Sequence, residues 1–77
     1  MPTILRIQGY RFFFFSNEGY GKPHIHVESG DSYAKFWLKP VSMGKSFGYR
    51  PVELTMIRKI VESHEDLFWE KWHEYFA

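Results

Sequence analysis

The sequence contains no cysteine. That excludes a disulfide framework, a thiolate metal site and a cysteine nucleophile. Long apolar runs are missing too. The longest, Phe12 to Phe15, is far too short to cross a bilayer. The start Met1-Pro2-Thr3-Ile4-Leu5-Arg6 has no basic stretch followed by an apolar one. No signal peptide is therefore expected, and the cytoplasm is the expected compartment. Gly19 and Gly21 lie between predicted strands rather than ahead of a helix, so no phosphate-binding glycine loop is read. No cofactor is implied. With 77 residues the chain has room for one domain, spanning residues 1–77.

Aromatic residues are plentiful. They make up 21% of the chain, with eight Phe, five Tyr and three Trp. Bulky rings fill the core of a small domain with few residues. Net charge is +1, but the charges are unevenly placed. Residues 1–50 carry seven basic and three acidic groups; residues 51–77 carry three basic and six acidic groups. The imbalance fits an anionic ligand on the first part. It also fits internal attraction between the two parts.

The first half reads as strands. Ile4–Ile7 is short and β-branched and ends at Gly9. Tyr10–Phe15 is strongly β-prone, and its four successive Phe demand cover on both faces. A loop follows over Ser16–Pro23. His24–Glu28 alternates, Ser29–Ser32 has turn composition, and Tyr33–Lys39 alternates again. A second loop covers Pro40–Gly48, with a short strand suggested near Phe47. The second half reads as helix. Pro51 suits a first helical position, with Glu53 in the first turn. Ser63 predicts a new N-cap, with Asp66 three residues on, so a break is placed there and a last helix runs to about Tyr75. Trp69 falls off the apolar stripe of that helix and is expected to be exposed. The predicted class is α+β: a small antiparallel sheet of three to four strands followed by two C-terminal helices packed on one face.

Side chains two apart on a strand share a face. Ile25 and Val27 therefore point one way, with Ala34, Phe36 and Leu38 of the next strand. His24, His26, Glu28, Tyr33, Lys35, Trp37 and Lys39 point the other, onto an open face, if the two strands pair as a hairpin. His24 and His26 have the spacing for one imidazole to act as general base and the other as general acid. Lys22, Lys35 and Arg50 would hold phosphates, and Tyr33 and Trp37 would stack bases. The same pair could share a metal ion with Glu28, Asp31 or His64, but no metal site is assigned. A bare His-x-His pair is equally what an ordinary polar strand surface looks like. Aromatics on such a face also suit contact with a partner protein or a second copy.

Several blocks carry a family pattern: Met1-Pro2-Thr3-Ile4, Lys22-Pro23-His24-Ile25-His26-Val27, Gly30 with Tyr33-Ala34, and His64-Glu65-Asp66-Leu67 followed by Trp72. With these the chain resembles the bacterial domain-of-unknown-function family numbered 4160. Members usually read Pro-Pro-His-Phe-His-Val at the second block, where this chain has Lys22 and Ile25. The family has no established activity. The resemblance implies a single-domain cytoplasmic protein, often encoded beside another small protein in a pair of toxin–antitoxin type. Two readings follow. In the first, the chain is the toxin-like member and binds or cleaves RNA through His24 and His26. In the second, it is a non-enzymatic module that docks a small partner protein or forms a homodimer. Neither involves a membrane.

Overall fold

The computed structural model describes residues 3–15 and 21–76. Five strands come first: β1 (Thr3–Ile7), β2 (Tyr10–Phe13), β3 (His24–Ser29), β4 (Ser32–Trp37) and β5 (Ser42–Phe47). Two helices follow, α1 (Pro51–Ser63) and α2 (Glu65–Tyr75). The strands form one antiparallel meander in the order β1-β2-β3-β4-β5. The α+β class holds, with five strands where the sequence reading counts three to four.

The extra strand is β5. Its Ser-Met-Gly-Lys-Ser-Phe composition carries no β-branched residue, so local propensity does not announce it. It forms because β4 offers an open row of backbone groups, and because Trp37 lies over it. A Cβ on Gly44 would sit 3.2 Å from the indole Nε1 of Trp37. Gly44 stands at a bulge, between the Lys35–Lys45 and Phe36–Met43 pairs.

Short turns set the register. Gln8 and Gly9, with φ of 52° and 85°, close the β1–β2 hairpin between Ile7 and Tyr10. Gly30-Asp31 closes β3–β4 between Ser29 and Ser32. That places Ile25 beside Phe36 and Val27 beside Ala34 on one face, as the alternation predicts. Both helices cover this face. The core joins Phe12, Ile25, Val27 and Phe36 to Ile57 and Val61 of α1 and Phe68 and Trp72 of α2. Burying each such side chain contributes about 1.5–3 kcal/mol before the entropy cost of ordering it.

Pro51 starts α1. Glu53 accepts the backbone N–H of Arg50 at 3.0 Å and its Nε at 3.3 Å. The backbone bond, the larger cause, holds the Glu53 carboxyl below its ordinary pKa. The helix break falls where the sequence places it, but the cap differs. Ser63 is the last residue of α1, and His64 is the N-cap of α2. The His64 Nδ1–H donates to the Ile60 carbonyl at 2.9 Å, closing α1 as α2 begins. Trp69 is half-buried against the core rather than exposed, with the Lys39 ammonium 4.9 Å from its ring centre. No helix among the described residues is long and apolar enough to cross a membrane.

Two glycines with nearly equal backbone angles separate conformational strain from steric clash. Gly9 (φ +85°) has open space where a Cβ would stand; Gly48 (φ +86°) would put one 2.6 Å from the Ser32 Oγ and 3.0 Å from its Cα. Gly9→Ala carries only the left-handed backbone cost of about 1–2 kcal/mol. Gly48→Ala adds displacement of the β4 backbone and should cost about 2–4 kcal/mol. Thermal unfolding of the two variants should rank them in that order.

The Glu53 bond makes a pH prediction. A carboxylate with a lowered pKa adds stability above its ordinary pKa and loses it as pH falls through the folded-state value. Glu53→Gln should therefore melt below the parent at neutral pH. The gap should close as the pH drops below the carboxylate range.

Candidate functional site: the sheet face opposite the helices

The face away from the helices is built in cross-strand rows. Thr3, Phe13, His26, Lys35 and Lys45 form one row, and Arg6, Arg11, Glu28, Tyr33 and Phe47 the next. His24, Trp37 and Ser42 form a third. The structure thus brings five of the predicted site residues onto one face: His24, His26, Tyr33, Lys35 and Trp37. Lys22 lies just ahead of β3, and its carbonyl accepts the His24 Nδ1–H at 2.8 Å. Arg50 does not join them. It caps α1 beyond the end of β5, with its guanidinium against Glu53. Lys39 also leaves the face: after β4 ends, the chain turns with φ of 49° and Lys39 meets the helices. Its ammonium lies 3.4 Å from Asp66, and its backbone N–H donates to Glu65 at 3.0 Å.

The side assigned to the two histidines holds, but the expectation that they are wet does not. His24 is 4% exposed and His26 is 2% exposed. The cause is the phenylalanine run. Phe12 and Phe14 turn toward the helices, while Phe13 and Phe15 turn to the opposite face and close on His26. Phe13 stacks on the His26 ring at 5.4 Å, and Phe15 meets it edge-on at 4.5 Å. Tyr33 stacks on its far side at 5.7 Å, and its hydroxyl shares a 2.6 Å hydrogen bond with the His26 Nδ1. His24 lies 4.8 Å from His26, ring centre to ring centre, between Trp37 at 5.6 Å and Trp72 of α2 at 4.9 Å. The imidazoles are adjacent, as their spacing predicts, but they sit inside an aromatic cluster. Among the described residues, no three His, Asp or Glu side chains gather as a metal site. Glu28 is taken up by Arg11 at 2.6 Å, and His64 serves the helix break.

The remaining charges stay outside the cluster. Lys35 and Lys45 are direct cross-strand partners. Like charges in that position repel. Their ammonium groups lean apart, Lys35 to 4.3 Å from the Trp37 ring and Lys45 to 5.9 Å from the Tyr33 ring. Neither has a carboxylate within ion-pair distance among the described residues. Beside them Phe47 is 63% exposed, its ring 5.6 Å from that of Tyr33. The predicted site residues omit Lys45 and Phe47, because the sequence suggests only a short strand near Phe47 and not the whole of β5. Once β5 is placed beside β4, alternation alone puts both on this face. Elsewhere, burial at the sheet's edge raises the Tyr49 hydroxyl above its ordinary pKa, against the lowering effect of its 2.9 Å bond to Ser29.

The packing makes His26 a structural residue in the first instance. His26→Ala would open a void between Phe13, Phe15 and Tyr33 and strip the Tyr33 hydroxyl of a partner. The expected loss is about 2–3 kcal/mol. For a domain of this size that is a large part of total stability. Urea unfolding should show the midpoint shift, with the slope unchanged.

No curated protein and no solved structure matches the chain significantly. A family model does match it, over residues 9–73, from the β1–β2 turn to the last turns of α2. The chain is thus a member of the family described as domain of unknown function 4160 (DUF4160).

Proposed function

We propose that the protein binds single-stranded RNA on the sheet face opposite its helices. The observation that carries this reading is the Lys35–Lys45 pair, which has no carboxylate at ion-pair distance among the described residues. Two lysines at directly opposed strand positions cost stability when no anion lies beside them, even with their ammonium groups leaning apart. A polyanion turns that cost into binding energy by releasing its own counterions. The rings beside them suit the same ligand. Phe47, with Tyr33 behind it, offers an exposed plane for a base, and Trp37 lies at the far end of β4. Lys22, exposed ahead of β3, extends the basic margin. Arg50 is not assigned to the interface.

Cleavage is the weaker half of the RNA reading. A general acid or base must reach a substrate oxygen at hydrogen-bond distance. His24 and His26 are enclosed by rings, and the Nδ1 of each already has a partner. We therefore assign the pair to shaping the face rather than to acid–base chemistry. A toxin-like role in the cytoplasm would act through binding.

The test is fluorescence anisotropy with a labelled single-stranded oligouridine over a salt series. Lys35→Ser/Lys45→Ser should weaken binding and reduce the log–log salt slope by about 1.4, from about 0.7 per phosphate contact. Phe47→Ala should cost about 1–3 kcal/mol of binding with the slope unchanged. Parent-like affinity and slope in the double-lysine variant would overturn the proposal.

A further inference from the structure

The outer side of β5 is a separate feature. Among the described residues β5 pairs only with β4, so one row of its backbone groups is open. The two sides of this edge differ chemically. On the helix side Met43 is 47% exposed, and a groove of about 270 Å³ runs between β5 and α1. Phe36, Met43, Pro51, Leu54, Thr55 and Arg58 line it. Arg58 is anchored at its rim, donating to the Val41 carbonyl at 3.1 Å and pairing with Glu62 at 3.3 Å. On the other side stands Lys45, with Lys35 behind it.

We infer that this edge docks an extended peptide in which acidic side chains alternate with apolar ones. A strand added to β5 would continue the sheet, and its side chains would fall alternately on the two faces. One set would enter the groove beside Met43 and Leu54. The other would meet Lys45 and Lys35, which have no carboxylate of their own among the described residues. Charge decides among the occupants. Two copies of this chain joined through β5 would set one unpaired ammonium row beside another. A nucleic acid has no apolar side chains for the groove and no backbone to continue the ladder. An acidic, apolar-alternating segment satisfies both sides. The Gly44 bulge and Lys45 also guard the edge against indiscriminate strand pairing. The site shares Lys35 and Lys45 with the proposed RNA face, but its groove and open backbone lie off that face, so peptide docking can hold where RNA binding fails.

The full-length protein, immobilised, would be used to select from a random peptide library. Enriched sequences should alternate acidic and apolar residues. A selected peptide, added to the protein, should slow amide exchange within Ser42–Phe47. Lys45→Gln should weaken that peptide about two- to fivefold, as loss of one exposed ion pair would. Met43→Asp should weaken it further, with circular dichroism confirming the fold of both variants. Lys45→Glu should shift the selection toward basic residues. No enrichment, enrichment without the alternation, or protection away from β5 would each overturn the inference. So would a concentration-dependent dimer that protects β5 without any peptide.

Discussion

A sheet has two faces, and the two helices among the described residues are both packed on one of them. The opposite face must find most of its cover among the strands' own side chains, with Trp72 of α2 reaching His24, and this constraint shapes the site. The four consecutive phenylalanines meet it by dividing between the faces. Phe12 meets Phe68 at 5.4 Å, and Phe14 meets Trp72 at 5.3 Å. Phe13 and Phe15 instead fold onto His26. Histidine suits that position because it is flat enough to stack and polar enough to bond a hydroxyl. A phenylalanine there would stack equally well but would leave the Tyr33 hydroxyl short of its 2.6 Å partner. The cluster then fixes where Tyr33 and Trp37 stand, and through them where the two lysines lean.

Alternation along β3 and β4 makes the face of each side chain legible, and the register assumed from the Ser29–Ser32 turn is the one observed. What alternation does not give is exposure. A strand residue opposite the helices is wet only if its neighbours are small, and the neighbours of His26 are rings contributed from β2 and from just beyond it. That packing lies across strands, out of reach of any local pattern. The full length of the fifth strand, suggested only near Phe47, escapes for a related reason. Gly44 is a poor strand residue in isolation and a good one beneath the Trp37 indole. The helix break near Ser63 was legible because capping is local chemistry. Its exact residue was not: α1 runs on through Ser63, its end is closed by the His64 ring on the Ile60 carbonyl, and His64 becomes the N-cap. The Ser16–Tyr20 part of the predicted loop lies outside the described residues.

The uneven charge of the two halves had two readings, internal attraction and an external anion, and the ion pairs weigh them. Arg50–Glu53, Arg58–Glu62 and Lys71–Glu74 join residues three or four apart, and Arg11–Glu28 lies within the sheet. Among the described residues Lys39 reaches across to Asp66 and Glu65, and Arg50 meets Glu53 just past the boundary between the halves. Internal attraction therefore accounts for Lys39 and Arg50 of the basic half. It leaves Lys35 and Lys45 at opposed positions of neighbouring strands, where exchanging either for a glutamate would turn repulsion into a cross-strand pair. A surface that keeps the unfavourable arrangement, beside exposed rings and an open strand edge, is better matched to an anionic ligand than to its own helices. The histidines and phenylalanines beneath it hold that surface in place.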